Sequence, residues 1–186
     1  MKNIQTSINA GWVNKPLPSE KLDNDYWAIY NFYVLYTPCE GPSYKWIPIT
    51  RYGWSKKVWS QPALKDNLYA IADLKKGSTL CFAKKLEDIR DACRITIMGE
   101  GFHKDREIEK IAVYKGNDNE VLCIFRHIRN SFAHGRFMIY ENNNKETVYV
   151  IEDGIKKNGK LQVRARMILK KSTLLQWIEI ITRRNE

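Results

Sequence analysis

The hydrophobic period of this chain changes once, sharply, at Gly135. Before it, Val121, Phe125, Ile128 and Phe132 recur at i, i+4, i+7 and i+11, one narrow apolar stripe along a helix. After it, RFMIYE and TVYVIE alternate around the polar loop NNNK. LQVRARM then sets Leu161, Val163, Ala165 and Met167 against Gln162, Arg164 and Arg166. Side chains repeat every 3.6 residues in a helix and every 2 in a strand, so the two patterns exclude each other locally. The segment must pass from helix to strands through a glycine stop. Asn158-Gly159, just ahead of LQVRARM, is a hairpin turn signal. The strands are therefore expected as a small antiparallel meander.

The rest of the chain reads as helix. Pro62 suits the first turn of a helix running to about Lys75, with Gly77 stopping it. Ser78 or Thr79 is expected to open a longer helix, since Phe82, Leu86, Ile89 and Cys93 recur at helical spacing, with Gly99 and Gly101 ending it. Asp105 to Tyr114 reads as a short helix closed near Gly116. Asn117 or Asp118 caps the helix that carries the stripe, with Glu120 in its first turn. Ser172 is expected to cap a last amphipathic helix, STLLQWIEIITRR, with Leu175, Ile178 and Ile181 towards the core. The first sixty residues are aromatic-rich. Within them DNDYWAIYNFYVLY is favoured as a helix capped by Asp23 or Asn24, with a strand as the alternative because Tyr, Trp, Phe and Val suit sheets. Cys39 to Trp54 reads as loop with at most a short strand. The expected fold class is mainly α: a helical bundle with a small β-meander before the C-terminal helix. It forms one domain over residues 1–186, in which residues 1–60 are an extension.

The net charge of +10 and pI near 9.4 favour an anionic partner, nucleic acid before a membrane surface, against the plainer reading of a solvated basic exterior. MKNIQTSINAGW has no apolar core of a signal peptide, and no apolar run reaches the length of a membrane span. Cys39, Cys81, Cys93 and Cys123 form no CxxC pair and no zinc-type spacing, and are expected as reduced core residues of a cytoplasmic protein.

The stripe helix ends in FRHIRNSFAHGRF, which holds His127, His134 and three arginines. A helix whose task is packing does not need that set. At about 100° per residue, Asn130 falls opposite the stripe with Arg126 and His134 about 40° to either side. These three are expected as a polar ridge facing away from the core, with Arg129 on the flank and His127 a little further round. Arg129 and His134 lie about 140° apart on an ideal helix. They meet at one spot if the helix loosens at Gly135, if Arg129 reaches round, or if a second copy supplies the partner across a two-fold axis.

Such a cleft has the parts for metal-independent RNA cleavage. Arg offers a planar fork for phosphate oxygens. His trades a proton near neutral pH. Asn orients an imidazole or donates to a phosphoryl oxygen. A base removes the 2′-OH proton, the oxygen attacks the adjacent phosphate, cations steady the phosphorane, and an acid protonates the leaving 5′-oxygen. No cluster of Asp and Glu suggests a two-metal site. The plainer readings are that His134 only caps the helix, that Arg129 is a surface ion pair, and that Arg126 and His127 merely support them. Ser131 reads as helix filler, His103 as solvated loop, and Arg164 and Arg166 as a solvated strand face in preference to an extended RNA track. Lys156-Lys157 and Lys170-Lys171 read as aids to solubility. Most of the six Trp and ten Tyr are expected in the core rather than as stacking platforms for bases.

IRNSFAHGRF resembles the Arg-x4-6-His motif of the HEPN superfamily in its Arg-Asn-x3-His form. The order that follows, a β-hairpin, a basic strand and a helix like LKKSTLLQWIEII, resembles one group of small prokaryotic HEPN proteins. The likeness is good from Asn117 to Ile181, architectural from Gln61 to Tyr114, and absent before. It implies a helical bundle that dimerises through its motif helices. The activity it implies is a metal-independent endoribonuclease of toxin–antitoxin, abortive-infection or CRISPR-linked defence. Carried over by position, Arg129, Asn130 and His134 are the catalytic set, with no metal or cofactor; beside them Arg126, His127 and Arg136 are expected as substrate contacts. The implied partners are RNA, a second copy, and an antitoxin or nucleotidyltransferase. Some HEPN toxins carry a modified Tyr two residues after the His; Arg136 stands there in this chain, so that control lacks its acceptor. Other members bind RNA or nucleotide, or only dimerise, without turnover, and that is the alternative reading.

Overall fold

The computed structural model describes residues 22–39, 47–90 and 107–183. The helices among them are α1 (Asn24–Asn31), α2 (Pro62–Ile71), α3 (Glu120–Ala133) and α4 (Lys171–Thr182). The strands are β1 (Leu80–Ala83), β2 (Lys110–Tyr114), β3 (Phe137–Glu141), β4 (Thr147–Lys157) and β5 (Lys160–Lys170). They form one sheet in the order β1-β2-β5-β4-β3. Only β1 and β2 run parallel; the other pairs are antiparallel.

This overturns the helical bundle with a small meander. The meander β3–β4–β5 is part of a five-stranded mixed sheet, and two stretches expected as helix supply the remaining strands. Leu80–Ala83 and Lys110–Tyr114 are four and five residues long. A short apolar run cannot be told from a helix segment by periodicity alone. What decides is a partner far along the chain: Ile111 pairs with Met167 and Val113 with Ala165. Further on, Leu86–Arg90 is a short 3-10 turn rather than part of a long helix. Cys93, Gly99, Gly101 and His103 lie outside the described residues.

Other expectations hold with adjusted ends. Asp23 caps α1, accepting from the Tyr26 N–H at 2.7 Å, and the helix continues into a π-turn, Phe32–Tyr36. Pro62 opens α2, which ends at Ile71 because Asp73 turns to φ +45°. Asn119, not Asn117 or Asp118, caps α3 by accepting from the N–H groups of Val121 and Leu122. The hairpin at Asn158-Gly159 has φ of +51° and +74°, as a type I′ turn requires. Lys170, not Ser172, holds the cap position of α4, whose buried residues are Thr173, Leu174, Trp177 and Ile181. Leu175 and Ile178 are only partly buried.

The core lies between one face of the sheet and the helices. Phe125 of α3 sits among the rings of Tyr33, Trp59 and Trp177 at 5.9, 6.2 and 5.7 Å. Phe132, two turns on, meets Tyr33, Phe137 and Tyr149. The N-terminal aromatics thus wrap α3 and belong to the same core. The opposite face of the sheet buries Ala112, Val148, Val150 and Ile168. It also buries Arg166, whose Nε and one terminal nitrogen both lie 3.0 Å from Glu152, with the two side chains 0% and 1% exposed. Arg166 is therefore not part of a solvated strand face: Glu152 stands directly across the ladder from it. Lys170 and Lys171 likewise pair, with Glu146 and with Asp23 and Asp25. Cys39 and Cys123 are buried free thiols, whereas Cys81 is disulfide-bonded, against the expectation of four reduced cysteines. No helix among the described residues is long and apolar enough to cross a membrane.

Candidate functional site

The motif residues lie on the last turns of α3 and the stop that follows. That stop is a Schellman arrangement. Gly135 takes φ +61°, its N–H bonds to the Phe132 carbonyl, and the Arg136 N–H bonds to the Ser131 carbonyl at 2.8 Å. A Cβ at Gly135 would meet nothing within 4 Å, so the glycine is there for its backbone angle. His134 occupies the C-cap position itself, at φ −103°. The carbonyls of Asn130, Ser131 and Phe132 are already taken by the backbone N–H groups of His134, Arg136 and Gly135. The His134 imidazole is exposed and makes no hydrogen bond among the described residues.

The rest of the motif does not face away from the core, as the helical wheel predicted. α3 packs against β4, and Asn130, Arg129 and Arg126 are half-buried. His127 is 5% exposed. Its Nδ1 lies 2.6 Å from Asp153 Oδ2 and its Nε2 3.1 Å from the Tyr114 carbonyl. Both neighbours are acceptors, so both ring nitrogens must carry hydrogen and the ring is an imidazolium. Burial works against that charge, but the bond to Asp153 and the adjacent Cys123 sulfur outweigh it, holding the pKa up at about 9.

From this pair a chain of contacts runs outward. Asn130 Nδ2 donates to the same Asp153 oxygen at 3.4 Å, and Asn130 Oδ1 accepts from Arg129 at 3.2 Å. The Asn130 amide is thereby fixed at both ends, and the guanidinium of Arg129 is steered by it. On the next strand residue, Gly154, the carbonyl accepts from Arg136 at 2.7 Å. Asp153 reaches α3 because it shares the core face of β4 with Tyr149 and Ile151; just beyond it the β4–β5 register shifts between Asp153 and Gly154, leaving Arg164 as the extra residue on β5. The displaced Arg164 lies 4.9 Å over the Tyr114 ring. Arg126 pairs with Asp118 at the other end of the helix, and its buried Nε has no hydrogen-bond partner among the described residues. Arg126 and Arg129 both oppose the upward push of burial on the Cys39 thiol, so the chain around Cys39 runs along the arginine side of α3.

Arg129, Asn130, His127 and Arg136 are thus drawn together around Asp153 and Gly154, while His134 stands free at the helix end. Sequence reasoning missed Asp153 and the Tyr114 carbonyl. Alternation along β4 puts Tyr149, Ile151 and Asp153 on one face, and a carboxylate on a core face has to find a partner. That signal was available had the strand been carried past Glu152. Among the described residues no group of three or more His, Cys, Asp or Glu is placed to hold a metal ion.

A model of the family described as HEPN pEK499 p136 matches residues 62–185, well over half of the chain. No curated protein and no solved structure matches. HEPN domains often dimerise and bind RNA, and their functions are generally of the nuclease type. With the matched segment running from the start of α2 past the end of α4, and the Arg-Asn-x3-His residues gathered at the close of α3, this chain belongs to the HEPN superfamily.

Proposed function

We propose that the chain is a metal-independent endoribonuclease of HEPN type that cuts RNA by attack of the 2′-OH on the adjacent phosphate, at a site completed by a second copy. His134 is the proton-transfer residue. Arg129 binds the scissile phosphate and offsets the charge of the phosphorane. Asn130 orients Arg129, and the His127–Asp153 pair holds Asn130 in turn. In one turnover a base takes the 2′-OH proton, the O–P bond forms as the bond to the 5′-oxygen breaks, and an acid protonates the departing oxygen. A 2′,3′-cyclic phosphate remains. At each site one His134 takes the proton from the 2′-OH and delivers it to the departing oxygen. The setting is a toxin–antitoxin or anti-phage defence system.

The observation that carries this reading is the state of His134: exposed, without a hydrogen bond among the described residues, at a helix end where the carbonyls of Asn130, Ser131 and Phe132 already have backbone donors. A residue kept for capping would be turned onto those carbonyls. The test is cleavage of RNA by the purified protein in EDTA, with product ends analysed for cyclic phosphate. His134→Ala abolishes cleavage and leaves the melting temperature unchanged. Binding of RNA without cleavage by the wild type, or cleavage that survives His134→Ala, rejects the reading and favours a binding or dimerisation module.

A further inference from the structure

At the opposite end of α3 from His134 an open cleft of about 690 Å³ is lined by Phe82, Lys84, Tyr114, Lys115, Gly116, Asn117 and Glu120. It lies outside the carboxyl ends of β1 and β2, the parallel pair of the sheet. Crevices at the carboxyl ends of parallel strands are a favoured place for ligands in open sheets. The charges around it are one-sided. Glu120 is the one carboxylate of the lining, and it is already paired with Lys76 at 2.7 Å. Lys76 also stands over the Phe82 ring, and Arg164 over the Tyr114 ring. Lys84 and Lys115 line the wall without an ion pair among the described residues. Each ring thus carries a cation over one face, and with Lys84 and Lys115 on the wall the cleft suits phosphates better than stacked bases. The N-terminus of α3 is not the attraction, since Asn119 already satisfies the N–H groups of Val121 and Leu122.

We propose that this cleft holds the phosphodiester backbone of single-stranded RNA, upstream or downstream of the bond cut at His134. The choice of a strand over a free nucleotide rests on the ribonuclease reading and on distance. α3 has 14 residues. At about 1.5 Å per residue its ends are about 20 Å apart, so only a ligand several nucleotides long occupies both. Tyr114 joins the two ends: its side chain lines the cleft, and its carbonyl accepts from His127.

The experiment measures binding of a short fluorescein-labelled oligouridine by anisotropy over a range of salt. The protein is the His134→Ala variant, so that cleavage does not intervene. Neutralising two phosphate contacts with Lys84→Gln and Lys115→Gln lowers the salt slope by about 1.4. Affinity at low salt falls about tenfold or more. Both lysines are at the surface of the cleft, and unchanged melting temperatures check that the fold is kept. Affinity and slope equal to those of the parent overturn the proposal. So does displacement of the oligomer by a mononucleotide at equal concentration, which makes a free nucleotide the ligand. Failure of wild-type cleavage in EDTA sinks the ribonuclease reading separately, and a lysine-dependent salt slope survives that failure.

Discussion

The buried imidazolium of His127 gives the most exposed prediction. Three elements face the ring: β4 through Asp153, β2 through the Tyr114 carbonyl, and α3 itself through Cys123. The folded-state pKa is about 9, against 6.5 for a free histidine. At about 1.36 kcal/mol per unit, that difference corresponds to about 3 kcal/mol of stability. The folded pKa is the raised one, so the contribution is fully present below pH 6.5 and is lost as pH rises through about 9. The assay is urea unfolding from pH 6 to 10, for wild type and for His127→Gln. Groups that titrate elsewhere affect both proteins, and the difference between the curves isolates His127. It should shrink by about 3 kcal/mol across that range. The proton spectrum supplies a direct check, because three histidines are easily told apart and His127 should titrate near pH 9. A His127 midpoint at or below 6.5 would show a neutral ring, and the account of how Asn130 is held would fail with it.

Two further outcomes follow from the sheet and the helix stop. Arg166→Met leaves Glu152 buried and uncompensated and should cost about 3–5 kcal/mol in thermal or urea unfolding; adding Glu152→Met should recover much of that loss. Gly135→Ala should cost about 1–2 kcal/mol, all of it from the left-handed backbone, since a Cβ there meets no neighbour; a larger loss would mean that the stop is packed more tightly than the geometry indicates.

The parts of the fold legible in the sequence are those whose signal is local. The stripe from Val121 to Phe132, the glycine at Gly135 and the Asn158-Gly159 turn each specify their own geometry within a few residues. β1 and β2 were misread for the opposite reason. Nothing within LCFA or KIAVY names a partner: KIAVY is a strand through its ladder to β5, more than fifty positions away, and LCFA through its ladder to KIAVY, 31 positions away. The site follows the same rule. Arg129, Asn130 and His134 are visible because the motif is contiguous. What fixes them is Asp153, 23 to 26 residues further along the chain, and although alternation marks it as a core-face carboxylate, nothing local says which helix it meets. The orientation of α3 failed for a related reason. A wheel divides a helix into an apolar and a polar side, but a polar side can also be buried when the sheet brings a carboxylate to meet it.

That burial bears on how a second copy could complete the site. α1 and the aromatics after it cover one flank of α3, and β4 covers another, so the helix is not free to pack along its length against its twin. Among the described residues, what is fully exposed is its C-terminal end, Ala133 to Gly135. We propose that a composite site forms end to end, with Arg129 of one subunit placed against His134 of the other, consistent with the roughly 140° that separates the two within one helix. Mixing inactive proteins tests this. In a mixed dimer of His134→Ala with Arg129→Ala, one of the two crossed pairings is intact and the other lacks both groups. After subunit exchange half of the dimers are mixed, so activity should return to about a quarter of the wild-type level. If arginine and histidine act from the same subunit, every site in the mixture lacks one of them and no activity returns. That result, obtained with exchange demonstrated, would confine the chemistry to a single chain and require Arg129 to release Asn130 and reach round the helix.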